Sequence, residues 1–203
     1  MNSIYKYAFL TIFGCLLFLQ ADAIAQEKSG GEPQKSTKND VSKTDNSKFE
    51  FPQIEGWENG EIKKTPVGDM MNYDSEKGGR VTLYFYDGVL KGMPNKEREE
   101  VLKNEMTGAK IGILQLGEMG IYQNIKEAKK DETVMLGGKS GKVKSLHSLL
   151  YFSTKDDDLV SEIYVFSYKD HLFKIRASRS RTKENDNKAL EKFFSELDAR
   201  FSK

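Results

Sequence analysis

The chain has 203 residues, of which 32 are Lys or Arg and 31 are Asp or Glu, so its formal net charge is +1. This near-neutral mixture argues against a nucleic-acid-binding protein, which would carry a basic excess on one face. We therefore expect no nucleic acid among its partners.

The first 25 residues have the pattern of a secretory signal peptide. In YKYAFLTIFGCLLFLQADAIAQ, Lys6 is the only charge before an apolar run at 8–19, and small residues at Ala23 and Ala25 follow it. We expect cleavage after Ala25, which predicts a secreted or periplasmic protein. The run of about 12 residues would span only ~18 Å as a helix, less than a hydrocarbon core of roughly 30 Å. A permanent anchor is therefore less favoured, and no stable membrane span is expected after cleavage.

The only cysteine offers a second interpretation of the same segment. The letters IFGC, ending at Cys15, resemble a lipoprotein cleavage box with a small residue before the cysteine. However, the apolar run continues to Leu19, and Phe13 is bulky where such boxes take smaller residues. Lipidation of Cys15 is thus the less favoured alternative. After cleavage at Ala25 the mature protein would contain no cysteine and would need no disulfide.

A polar stretch separates the leader from a single domain. Residues 26–48, QEKSGGEPQKSTKNDVSKTDNSK, contain one aliphatic side chain, Val41, and cannot bury enough apolar area to offset their ordering entropy. We interpret them as a disordered linker. Residues 49–203 are rich in aromatic and aliphatic side chains and have the length of one domain, which can bury roughly 68–70% of its unfolded surface.

The first elements of the domain are a strand and a long helix. In GGRVTLYFYDG, Val81, Leu83 and Phe85 alternate with polar or aromatic residues, which predicts a strand. The segment at 93–116 has Pro94 and Asn95 as opening signals and then places apolar residues three and four positions apart, which predicts a helix. Its glycines predict either a break or a close approach to the sheet. The apolar residues of this stripe, expected in the core, are Leu102, Met106, Ala109, Ile113 and Leu116.

The second half of the chain predicts an antiparallel meander closed by a helix. Strand-like segments are separated by the turn sequences GGKSG and KDDD and by Lys169-Asp170. The terminal helix begins at Asn185 or Asp186 as its cap and carries an apolar stripe. The stripe residues are Leu190, Phe193, Phe194, Leu197 and Phe201. The strand-like segments are 121–136, 142–154, 159–168 and 171–181.

Large apolar side chains on both faces of these strands predict the layering. Tyr164 and Phe166 alternate with Ile163 and Val165, so neither face of the sheet is expected to be exposed to solvent. We expect the two helices to cover opposite faces. The predicted fold class is α+β, an α/β/α sandwich around a central antiparallel sheet.

The order of these segments resembles a known superfamily. Over about residues 49–203 the chain resembles the PsbP-like and Ran-binding Mog superfamily. The resemblance lies in the order of the segment FPQIEGWE, the strand VTLYFYD, the mid-chain helix, the long meandering strands including LFKIRASRSR and the terminal helix. The resemblance implies a compact extracytoplasmic module that acts as a binding or accessory protein without chemistry of its own. That superfamily has no shared catalytic motif, so no functional residue carries over.

Candidates for catalysis are weak. Ser145 and His147 lie two apart on a predicted strand and could approach each other as nucleophile and base. No G-x-S-x-G turn is present to expose the serine. GGKSGK ends like a phosphate-binding loop, but Thr133 stands where its first glycine is required, so a hairpin turn is favoured. We expect no catalytic residue, no cofactor and no enzyme activity.

Metal ligands are equally sparse. The chain has two histidines, and His171 has no second ligand at a zinc-site spacing. KDDDLVSE offers carboxylates at 156–158 and Glu162, but without the alternation and the glycine of a calcium loop. We expect a solvated turn here and no metal site.

Four residues are candidates for partner or ligand contact, namely Trp57, Arg176, Arg179 and Arg181. Trp57 either caps the core or anchors a partner, and core capping is favoured. In KIRASRSR, Lys174 and Arg176 should lie on one strand face and Arg179 and Arg181 on the other. Arginine suits carboxylate or phosphate groups, although a surface role is favoured over anion or lipid-head-group binding.

The sequence thus predicts an exported, non-enzymatic binding or accessory module that acts through contact with an envelope protein. Trp57 and the glycine-rich segment 112–120 are the first candidates for the contact surface. The alternative is a carrier that holds a small apolar or anionic ligand between sheet and helix.

Overall fold

A computed structural model describes residues 49–65, 68–75, 79–181 and 186–201. The expected signal peptide at 1–25 and linker at 26–48 lie outside these residues. Within the described part there are eight strands and two α-helices. The elements are β1 (Trp57–Asn59), β2 (Lys63–Thr65), β3 (Gly68–Ser75), β4 (Arg80–Tyr86), α1 (Asn95–Glu118), β5 (Gln123–Met135), β6 (Lys144–Ser153), β7 (Asp158–Tyr168), β8 (His171–Ser180) and α2 (Asp186–Phe201).

The strands form one antiparallel sheet in the order β1-β3-β4-β8-β7-β6-β5, with β2 also paired to β3. The predicted meander is confirmed, because β5, β6, β7 and β8 pair consecutively. The sheet is completed by β4, which pairs with β8 from Arg80 opposite Ser178 to Tyr86 opposite Leu172. Helix α1 provides the connection that lets β5 start at the far edge.

The two helices cover opposite faces of this sheet, as predicted. Met106 and Ile113 of α1 pack in one apolar cluster with Tyr84 of β4 and Ile163 of β7. Residues of α2 pack in a second cluster with the alternate residues of the same strands, such as Phe85 and Phe166. The fold is therefore an α/β/α sandwich, because the strands β3, β4, β7 and β8 place side chains in both buried layers.

Helix α1 is continuous, so the expected break at its glycines is wrong. The other expectation, a close approach to the sheet, holds at Gly117, where an added Cβ would lie 2.5 Å from Cδ1 of Ile125. Gly108 differs, because a Cβ there would meet nothing within 4 Å. Packing against the sheet offsets the low helix propensity of both glycines. In the part of the chain that the structure describes, no helix is both long enough and apolar enough to cross a membrane.

Helix α2 fixes the hairpin turn that follows β5. The carboxylate of Asp198 accepts hydrogen bonds from the backbone N–H groups of Lys142 (2.9 Å) and Val143 (3.0 Å). GGKSG is thus a turn between two strands, as predicted, and its short 3-10 segment at Gly138–Ser140 leads into β6. The predicted cap Asn185 lies outside the described residues.

Candidate functional site

Ser145 and His147 share a strand face but do not form a nucleophile and base. The buried Ser145 hydroxyl donates to backbone carbonyls, at 2.9 Å from Leu146 O and 3.2 Å from Val165 O. The His147 ring lies between two carboxylates instead, with Nδ1 3.5 Å from Glu132 and Nε2 3.3 Å from Glu162. The serine is therefore held by the sheet backbone, and the histidine belongs to a different cluster.

That cluster is centred on Glu162 of β7. Tyr164 donates its hydroxyl to Glu162 at 2.6 Å, and Arg179 pairs with the other carboxylate oxygen. Burial alone would raise the pKa of Glu162, but hydrogen bonds from His147 and Tyr164 and the charge of Arg179 outweigh it and lower the pKa to about 2. Arg179 also donates to Asn187 of α2 at 2.7 Å. The cluster therefore joins three strands to the start of α2.

Lys174 and Arg176 occupy the opposite layer, buried between β8 and α1. Lys174 Nζ donates to Glu105 of α1 at 2.7 Å and lies 4.2 Å from the ring centroid of Tyr84. Arg176 donates to the hydroxyl of Tyr122 at 2.9 Å. Both side chains are less than one-tenth exposed, at 4% and 8%. The favoured surface role is therefore wrong for these two residues, because each has a polar partner inside the sandwich.

The four predicted contact residues do not come together. Trp57 is only 8% exposed and packs edge-on against Phe193 of α2, with 5.0 Å between ring centroids. Arg176 lies under α1, whereas Arg179 and Arg181 lie on the α2 side of the sheet. Arg181 is exposed, with its guanidinium 4.5 Å from the ring centroid of Tyr151. That these residues contact a ligand or a partner stays a prediction.

The remaining candidates have local structural partners. His171 Nδ1 accepts the backbone N–H of Gly88 at 3.0 Å. In the acidic turn, Asp157 accepts the hydroxyl of Ser180, and Asp158 accepts that of Ser153. Among the described residues, no group of three or more His, Cys, Asp or Glu side chains is arranged to hold a metal ion.

The outward side of α1 exposes large apolar side chains to solvent. Ile111 is 40% exposed, Leu114 is 52% exposed, and Met119, which follows the helix, is 58% exposed. Elsewhere in the described ranges, only Ile62 and Met135 are large hydrophobics with comparable exposure. We call Ile111, Leu114 and Met119 the α1 patch. It overlaps the glycine-rich segment 112–120, which the sequence predicts as a contact surface.

The α1 patch could have been found from helical spacing. Ile111 and Leu114 fall outside the stripe of apolar residues that packs against the sheet, and a 100° turn per residue places Ile111 nearly opposite Leu102. The buried stripe identifies only the apolar residues that face the sheet, and the two apolar residues off the stripe are the signal for an exposed patch.

Two solved structures are loosely similar to this chain. Cyanobacterial PsbP (CyanoP) from Synechocystis sp. PCC 6803 matches 70% of this chain and 80% of its own, with 11% identity and a TM-score of 0.46. The Ran-binding protein Mog1p of Saccharomyces cerevisiae matches 72% of this chain and 84% of its own, with 13% identity and a TM-score of 0.37. No family model and no curated protein matches the chain. At these identities the likeness is a loose one of fold alone.

Proposed function

We propose that this protein is an exported, non-enzymatic binding or accessory module that acts through protein contact. The observation that carries the proposal is the α1 patch, where Ile111 and Leu114 stand in solvent one turn apart on the outward side of α1 and Met119 is exposed just past its end. Contiguous exposed apolar surface on a folded protein marks an interaction site more often than isolated apolar residues do. The buried and backbone-bonded state of Ser145 further supports a role without chemistry.

Cross-linking in the native cell envelope tests this proposal. The full chain carrying a photoreactive side chain at position 114 serves as bait, and mass spectrometry identifies what is captured. We expect one stoichiometric protein partner, and we expect Ile111→Lys to reduce its capture strongly because a charge would enter the apolar contact. Ile62→Lys is the matched control, since Ile62 is 38% exposed and lies outside the patch. Equal capture by the Ile111 and Ile62 variants would refute the proposal.

Export is part of the proposal and has its own test. We propose that the signal peptide at 1–25 is removed after Ala25 and that the mature protein is secreted or periplasmic. Intact mass of the mature protein distinguishes the alternatives, because simple cleavage starts the chain at Gln26 and lipidation starts it at Cys15. A mass that includes the leader would contradict export through this signal.

A second candidate, a carrier of a small anionic ligand, is favoured by the polar interior under α1. Among the described residues, the buried hydroxyl of Ser148 has no hydrogen-bond partner and could donate to an anion. Lys174 and Arg176 line the same layer and suit an anionic group. A thermal-shift screen tests this candidate, since a ligand that binds only the folded state raises the melting temperature. A screen in which Ser148→Ala responds like the unchanged chain would count against it.

A further inference from the structure

We infer that the outward side of α1 binds an α-helix of the partner whose apolar centre is flanked at both ends by basic residues. This inference rests on the proposed function and deepens it by naming the chemistry of the partner. It is carried by the spacing of the exposed residues, by an unexplained glycine and by the position of the acidic side chains.

Seven of the exposed residues of α1, bordered by the exposed Lys96 and Lys103, form a row suited to a second helix. They recur at alternating intervals of three and four, the spacing with which a helix presents one continuous side to a neighbouring helix. The opposite side of α1 is already packed on the sheet through Met106 and Ile113. We call this row the outer seam. Its residues are Glu97, Glu100, Asn104, Thr107, Ile111, Leu114 and Glu118.

Gly108, beside the outer seam, has no packing reason within the domain. A Cβ at this position would meet nothing within 4 Å, whereas the nearby Gly117 is required by its contact with Ile125. Glycine inside a helix destabilises it relative to alanine, because the unfolded chain loses more freedom. The distance between packed helices depends on the side chains at their contact, so a glycine here allows a partner helix to approach closely. The small side chain thus suits a contact outside this domain.

The charges of the outer seam specify the partner. Glu97 and Glu100 lie at one end of the apolar residues and Glu118 at the other, and all three are exposed. From Glu100 to Glu118 the helix rises ~27 Å at 1.5 Å per residue. A partner helix with Lys or Arg about 18 positions apart would pair with both ends while its apolar centre covers Ile111 and Leu114.

A second copy of this chain fits the outer seam less well. Parallel pairing of two α1 helices would place Glu100 beside Glu100 and Glu118 beside Glu118, which is repulsive. Antiparallel pairing about the middle of the patch would bring Ile111 against Leu114, but Glu97 and Glu100 would lie beyond the end of the second α1, which stops at Glu118. An anionic membrane surface is disfavoured by the same carboxylates.

Binding of designed helical peptides to the full chain tests the inference. The probe is a fluorescein-labelled helical peptide with a Leu and Ala centre and Lys residues 18 positions apart, and the matched peptide carries Glu in place of Lys. We expect fluorescence anisotropy to show at least tenfold tighter binding of the Lys peptide, and this preference should fall as salt is raised. The double variant Glu100→Lys/Glu118→Lys should reverse the preference. Glu191→Lys, an exposed substitution on α2, should leave it unchanged.

Gly108→Ala separates binding from folding. The added methyl enters open space, so we expect a higher melting temperature together with at least fivefold weaker binding of the Lys peptide. Unchanged binding by this variant would overturn the close approach of a helix.

Other outcomes distinguish this inference from the proposed function. If position 114 cross-links to a partner in the envelope but the chain does not prefer the Lys peptide, the inference fails and the proposed function stands. A homodimer in sedimentation experiments that Leu114→Lys dissociates would identify the occupant as a second copy and overturn the inference. If no protein is cross-linked at position 114, both fail.

Discussion

Replacing Lys174 by Met should destabilise the domain far more than its single ion pair suggests. The ammonium lies 2.7 Å from Glu105, and the two side chains are 5% and 1% exposed. Without Lys174, the Glu105 carboxylate stays buried and keeps the hydroxyl of Tyr86, 2.9 Å away, as a donor. Breaking a buried ion pair in this way costs roughly 3 to 5 kcal/mol. Because Tyr86 still donates, we expect about 3 to 4 kcal/mol here.

Urea unfolding followed by circular dichroism measures this loss. With an m-value of about 2 kcal/mol/M, the midpoint should fall by roughly 1.5 to 2 M. The double variant Lys174→Met/Glu105→Leu removes both charges and should lose only about 1 to 2 kcal/mol, since an apolar pair of similar volume often replaces a buried ion pair at little cost. Lys188→Met, at an exposed position of α2, is the control and should change stability by less than about 0.5 kcal/mol. A single variant within about 1 kcal/mol of the unchanged chain, or a double variant no more stable than the single one, would refute the reasoning.

Three further variants test other parts of the fold. The pKa of Glu162 is lowered to about 2, so its ionised carboxylate stabilises the fold above about pH 5 and this contribution is lost as the pH falls towards 2. Glu162→Gln should therefore flatten the acid side of a plot of stability against pH. Phe193→Ala should cost roughly 3 to 5 kcal/mol and shift the emission of the only tryptophan, Trp57, to longer wavelength, because its ring contact at 5.0 Å is lost. Gly141→Ala should cost roughly 1 to 3 kcal/mol in thermal unfolding, because the new Cβ would overlap the carbonyl oxygen of Leu136. These explanations would be contradicted by an unchanged acid profile in Glu162→Gln, by unshifted tryptophan emission in Phe193→Ala or by full stability in Gly141→Ala.

Periodicity predicted the elements that separate a buried side from an exposed side. The stripe of α2 was evident because its apolar residues recur at helical spacing. Strand β4 is buried on both faces and was evident instead from its run of β-branched and aromatic residues between glycines. Strand β3 was missed, since Met70 and Met71 on its two faces are both buried and Asp and Asn interrupt the pattern. A strand buried on both sides loses the alternation that identifies it.

The buried charges could not be placed from sequence because their partners are distant in the chain. Lys174 meets Glu105 across 69 positions, and nothing near either residue indicates the pairing. Charged residues are almost never buried unless paired, so a surface role was the reasonable expectation for an isolated basic segment. The α1 patch was a different case, since the helical spacing of Ile111 and Leu114 was already visible in the printed sequence.

The pairing of β4 with β8 has a consequence for how the chain acquires its structure. Arg80 must find Ser178 roughly a hundred positions later, and such distant pairings are slow to form because a long loop has to close first. Phe49 at the start of the domain stacks on Phe201 at the end of α2, with 6.0 Å between ring centroids. The first aromatic residue of the domain therefore cannot make this contact until α2 has been synthesised. A nascent chain therefore cannot complete its central strand pairing until nearly all of it has been synthesised, and a protein truncated before β8 should remain unfolded.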